Sequence, residues 1–119
     1  MHNFDGLTMF VSNTAATGVV DASTRLRFSQ RGDRVFARYA GGCVTHGWLV
    51  GRIAGEQLAF RYAQQEDGDG IHAGTSVCDI IRCDDGRLRL IEHFTWSTRP
   101  GAGVNVFDEV LSERGPATS

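Results

Sequence analysis

Turn-forming residues interrupt this chain at short, regular intervals, and that feature constrains the fold more than any other. Arg31-Gly32-Asp33, Ala54-Gly55-Glu56, Asp67-Gly68-Asp69-Gly70 and Asp84-Asp85-Gly86 each separate two stretches rich in β-branched and aromatic residues. Glycine supplies positive φ without steric cost and aspartate tolerates it, as tight hairpins require. The spacing predicts strands over 7–13, 24–30, 34–40, 43–53, 57–65, 71–83, 87–97 and 104–111, the last being the weakest. Only the second half of the 13–23 connection and the final segment leave room for helix, and neither shows a sustained 3.6-residue period.

Strands joined by hairpin-length connections lie beside their sequence neighbours. About eight of them can stack as two sheets or close on themselves, and closure removes exposed edges. The expected fold is therefore all-β, a single antiparallel up-and-down barrel of about eight strands, calycin-type, of the lipocalin or avidin kind. A sandwich is the alternative. The 119 residues suit one domain,, set here at 1–112, with 113–119 as a C-terminal tail. Gly41, Gly42, Gly47, Gly51 and Gly74 fall in or beside strands, where glycine marks the bulges and bends that curl a sheet shut,.

Composition excludes several functions. A formal net charge of −2 supplies no basic field for nucleic acid or an anionic membrane, so neither is expected as a partner,. No apolar run approaches the ~18 residues of a membrane span. Residues 1–10 lack the basic and apolar regions of a signal peptide, so a cytoplasmic location is expected,. Lysine is absent and all 12 basic residues are arginine, which reads as the codon bias of a high-GC bacterium and removes Schiff-base chemistry,. Cys43, Cys78 and Cys83 form no Cys-x-x-Cys pair. With His46 they fit no zinc spacing, so they read as small buried hydrophobes, and neither metal nor cofactor is expected,.

Alternation along each strand nominates interior side chains. Leu88, Leu90, Glu92, Phe94 and Trp96 share one face, apolar except for Glu92. A carboxylate on a core face must be paired, hydrogen-bonded or protonated. It either locks the barrel or serves as a ligand anchor or general acid/base. Leu58, Phe60 and Tyr62 share a face that leaves Arg61 outward. Val44, His46, Trp48 and Val50 share another, which would turn His46 inward as a second proton-handling candidate. Parity does not decide whether Tyr39 or Arg38 enters the interior. His72 reads as a surface or mouth residue, and Ser12-Asn13-Thr14 as polar rim positions that cap turns. The candidate site is thus Glu92 and His46 for acid/base work, with Asn13, Tyr39, Arg61, Tyr62 and Trp96 around a ligand; Arg61 is the weakest member.

Several motifs occur in an order that resembles a family of small bacterial proteins of about 110 residues, often labelled N-acetylglutamate synthases. They are Ser12-Asn13, Tyr39-Ala40-Gly41-Gly42, Gly47-Trp48-Leu49-Val50-Gly51, Phe60-Arg61-Tyr62, Asp85-Gly86-Arg87-Leu88-Arg89-Leu90 and Glu92-His93-Phe94-Thr95-Trp96. The resemblance runs from about Asn13 to Trp96 and implies a small barrel with those positions marked. The Gln/Arg-x-x-Gly-x-Gly/Ala turn on which the usual acetyltransferase fold holds acetyl-CoA is absent. Three functions fit, in this order: a small-molecule binder, a small isomerase- or cyclase-type enzyme using the barrel cavity, and a filled barrel acting through a protein partner or as a homodimer.

Overall fold

The computed structural model describes residues 1–68 and 70–110. Eight strands run in sequence order: β1 (Thr8–Asn13), β2 (Arg25–Arg31), β3 (Arg34–Gly41), β4 (Val44–Ala54), β5 (Gln57–Glu66), β6 (Ile71–Arg82), β7 (Leu88–Trp96) and β8 (Ala102–Glu109). Each pairs antiparallel with the next, and β8 returns to β1, so the sheet is a closed barrel. The closed meander is the architecture expected from the turn pattern, and no helix occurs among the described residues, including the 13–23 connection. Strand β8 begins two residues earlier than the sequence suggested. The last segment, which left room for helix, is strand β8, and the 113–119 tail falls outside the described residues.

The hairpin glycines behave as the turn chemistry requires, Gly32 and Gly55 lying at φ 59° and 61°,. With an even number of strands, the barrel has two unlike ends. One carries the hairpins at Gly32, Gly55 and Gly86, and there the N-terminal segment folds in as a plug. Phe4 is fully buried with its ring 5.5 Å from that of Phe28, and its backbone N–H donates to Gln30 Oε1 at 2.8 Å. Burying such a ring contributes roughly 1.5–3 kcal/mol. Met9, Val35, Leu58, Cys78, Ile80 and Leu90 fill the barrel above it.

The other end, the mouth, is crossed by the long 14–24 connection between β1 and β2. Ala15, Val19 and Val20 pack against the core. Five bonds hold this strap to the barrel: Ala15 N–H to Asn105 Oδ1 (2.9 Å), Thr17 Oγ1 to the Ala102 carbonyl (2.8 Å), Trp96 Nε1 to the Thr17 carbonyl (3.0 Å), Cys43 Sγ to the Val19 carbonyl (3.3 Å) and Thr24 Oγ1 to the Gly41 carbonyl (3.3 Å).

Two register shifts matter for the interior. In β4, Val44 faces inward, but an extra residue between Val44 and His46 reverses the parity, so that Gly47, Leu49 and Ile53 point inward instead,. A smaller shift in β1 lies between Val11 and Asn13. The expected inward face of His46 and Trp48 is therefore wrong: both are exposed, Trp48 at 55%. The bulge is not visible in the alternation itself. In the resulting register the Tyr39 ring lies against Gly47, where a Cβ would overlap it.

Candidate ligand-binding site

At the mouth end the interior changes from aliphatic to aromatic and polar. Phe60, Tyr62, Phe94 and Trp96 form a cluster of edge-on rings, with centroids 5.5 Å apart for Tyr62–Trp96 and 5.9 Å for Phe94–Trp96. They line a cavity with Tyr39, Leu49, Gln64, Glu92, Asn105 and Phe107, closed above by Gly18, Val19 and Val20 of the strap. The cavity offers about 30 Å³ to the centres of water-sized molecules, so a larger guest requires the strap to move,.

Glu92 is the polar centre of this space. The alternation Leu88, Leu90, Glu92, Phe94, Trp96 along β7 carries it inward, where it is 5% exposed. Ser76 on β6 donates to Oε2 at 2.6 Å and Asn105 on β8 donates through Nδ2 to Oε1 at 2.9 Å. Burial drives its pKa above the usual glutamate range; the two donors oppose the shift without cancelling it,. Asn105 is itself oriented by the Ala15 N–H of the strap, so one chain of bonds joins Glu92 to the cover of the cavity.

The two tyrosines have different surroundings. Tyr39 donates to Gln64 Oε1 at 2.8 Å, Gln64 donates to Glu66 Oε2 at 2.9 Å, and Glu66 takes both oxygens to Arg99 Nη2 at 2.8 and 2.7 Å. Arg99 lies over the Trp96 ring, 4.4 Å from its centroid,. Burial pushes Glu66 up, but the bonds from Arg99 and Gln64 outweigh it and hold the carboxyl below its usual range. Tyr62, 8% exposed, has a buried hydroxyl without a partner among the described residues. It occupies a place that glycine makes for it, since a Cβ on Gly74 would overlap the hydroxyl. Burial raises both phenols above the usual range, with the Glu92 charge as a further cause, so both remain neutral donors.

A closed eight-stranded antiparallel barrel with a polar-centred, aromatic-lined cavity at one end is the frame on which the comparison turns. The family described as avidin-like protein matches residues 2–110. The chain belongs to the avidin-like family. No curated protein and no solved structure matches it.

The avidin-like barrel brings together Glu92, Tyr39, Tyr62 and Trp96 among the residues nominated from sequence. It separates the others. His46 is on the outer wall, so it cannot share a proton with Glu92. Arg61 is exposed on the outer face of β5, as its parity required, and Asn13 is exposed beside the β1 bulge. His72 sits near the mouth with Nδ1 2.8 Å from Thr98 Oγ1. Cys43 is at the mouth, Cys78 inside and Cys83 at the opposite end, all three free. Sequence reasoning missed Ser76, Asn105 and Gln64. Their signal was present: Ser76 shares the parity of Cys78 and Ile80, Asn105 that of Phe107, and Gln64 that of Phe60 and Tyr62.

Proposed function

We propose that this avidin-like barrel binds one small uncharged ring compound bearing a hydrogen-bond acceptor, in the cavity beneath the 14–24 strap. The unpartnered Tyr62 hydroxyl carries this reading. A buried hydroxyl left without a bond costs roughly 1–3 kcal/mol, and phenylalanine would avoid the cost. A donor kept at that cost, beside aromatic walls, suits a guest that supplies the missing acceptor. The other buried side-chain atom without a partner among the described residues, Arg99 Nε, is also a donor and belongs to the side chain stacked on Trp96. An anionic guest is disfavoured, because the ionisable groups lining the cavity are Glu92 and two phenols and none is a cation,. The guest enters by displacing Val19 and Val20. Reduced thiols at Cys43, Cys78 and Cys83 suit the cytoplasm as its place of work.

A thermal-shift screen of small neutral carbonyl and heteroaromatic rings, such as 2-pyridone, benzamide and indole, tests the reading. The expected result is a hit among the acceptor-bearing rings, 2-pyridone and benzamide, whose stabilisation is lost in Tyr62→Phe with the fold of that variant intact, indole serving as the control that offers no acceptor. Hits confined to carboxylic acids, or hits indifferent to Tyr62, would overturn it. Glu92 favours a second reading. A carboxyl whose pKa is raised by burial in an apolar cavity suits donation of a proton to a bound substrate,, in which case turnover of a bound ring compound falls as pH rises through that raised value and disappears in Glu92→Gln.

A further inference from the structure

The net charge of −2 sums two unlike surfaces. Seven arginines, Arg25, Arg27, Arg31, Arg34, Arg38, Arg52 and Arg61, project from the outer faces of β2 to β5, and all are exposed. Between residues 25 and 65 the chain has two acidic residues, Asp33 and Glu56, both in hairpins. Asp33 is taken by Arg52 at 2.9 Å and Glu56 contacts His2 at 2.7 Å. Elsewhere Arg87 pairs with Asp85, Arg89 with Asp108 and Arg99 with Glu66, while Arg82 donates to the Gly86 carbonyl. Arg27, Arg31, Arg34, Arg38 and Arg61 form no ion pair with any described residue.

Register makes this face costly for the folded chain alone. Arg27 lies directly opposite Arg38, and Arg31 directly opposite Arg34. Like charges in facing positions repel. The rings are interleaved with the charges rather than gathered apart from them. One cross-strand row reads Arg27, Arg38, Trp48, Ala63, and the next reads Ser29, Phe36, Val50, Arg61. Trp48 is more than half exposed with the Arg38 guanidinium 5.7 Å from its ring, and Phe36 is 43% exposed. Small side chains at Ala59, Ala63 and Thr75 leave the surface beside Val50 low and open. A protein interface gathers its apolar groups at the centre and places charge at the rim. A second copy of this same face would bring arginine against arginine.

We propose that the outer face of β2–β5 binds single-stranded nucleic acid, through arginine–phosphate contacts and stacking of bases on Trp48 and Phe36. A strand that repeats one negative charge and one flat ring per unit matches a face that repeats guanidinium and ring. Neighbouring strands are ~4.8 Å apart and alternate residues along a strand ~6.8 Å apart, within reach of successive phosphates. The site is on the outer wall and does not depend on whether the interior takes a ligand.

Fluorescence anisotropy with labelled oligo-dT and oligo-U of twelve nucleotides at 50 mM salt tests this directly. Binding is expected, weakening about twentyfold between 50 and 200 mM salt for three phosphate contacts. Emission from the exposed Trp48 should be quenched, and the quench lost in Trp48→Ala. Arg27→Ser/Arg38→Ser should weaken binding at least tenfold while the melting temperature holds or rises, because a repulsive pair is removed. Arg87→Ser on the matched side should leave affinity unchanged. Absent binding at 50 mM salt, equal binding by the Arg27/Arg38 variant, or stronger binding to phosphatidylglycerol vesicles or polyglutamate than to either oligonucleotide would overturn the proposal.

Discussion

Tyr39 and Tyr62 make the residue-scale argument testable by a single pair of changes. Both rings are buried in the same cavity, but among the described residues only Tyr39 has a partner for its hydroxyl. Tyr39→Phe removes the bond to Gln64 and leaves a buried amide oxygen unsatisfied, so it should cost about 1–3 kcal/mol. Tyr62→Phe removes an unpaired hydroxyl and should be neutral or stabilising by up to about that amount. Urea unfolding of the two variants decides it; equal losses would mean that the Tyr62 hydroxyl has a partner in solution. Glu92 adds a pH signature. Its carboxyl binds a proton more tightly folded than unfolded, so its contribution is complete below the ordinary glutamate pKa and is lost as pH rises through the raised folded value,. Glu66 and Asp108, held low by Arg99 and Arg89 despite burial, work in the opposite sense and lose their contribution as pH falls. Glu92→Gln can keep both bonds, accepting from Asn105 and donating to Ser76. It should therefore abolish a decline in stability of up to about 1.4 kcal/mol per pH unit above the ordinary glutamate range. Chemical unfolding from pH 5 to 9 measures the slope.

Among the elements, β4 shows where sequence reading succeeds and where it fails. Its existence and its hairpins follow from turn residues on either side of a β-rich run. Its facing does not, because one extra residue near Thr45 exchanges the two faces and brings Gly47, rather than His46 or Trp48, against the Tyr39 ring. β7 has no bulge, so the parity that placed Glu92 inward was enough. The partners of Glu92 come from β6 and β8, and their meeting depends on cross-strand register, a relation between elements that no single segment carries. The Gly47–Tyr39 contact gives a prediction at this scale. Gly47→Ala should cost about 1–3 kcal/mol through overlap with the ring. Because the nearest atoms all belong to the Tyr39 side chain, Tyr39→Leu in the same chain should recover much of the loss. A double-mutant cycle on unfolding free energies reads the coupling; additive losses would place the strain elsewhere.

For the molecule as a whole, closure joins β1 to β8 and leaves no free edge in the sheet. The interior should then open only through global unfolding or release of the strap. Cys78 reports which. It is fully buried, and burial drives its thiol well above the usual range. Native-state labelling of Cys78 by a thiol reagent should track the global unfolding equilibrium under increasing urea, while Cys43, beneath Val19, reports strap opening at lower free energy,. Equal labelling of the two in water would mean that the barrel breathes as one unit.

The even strand count sets which way the molecule faces when it is held. β1 starts and β8 finishes at the end plugged by Phe4, and the strap covers the other. A surface, a reporter or a second domain attached before residue 1 therefore approaches from the plugged end. The mouth is left pointing outward and the arginine wall is presented sideways. If the interior takes a ligand as proposed, a barrel immobilised through residue 1 should take it up unhindered, whereas one circularly permuted to open between β5 and β6, at the mouth end, would have its anchor across the entrance.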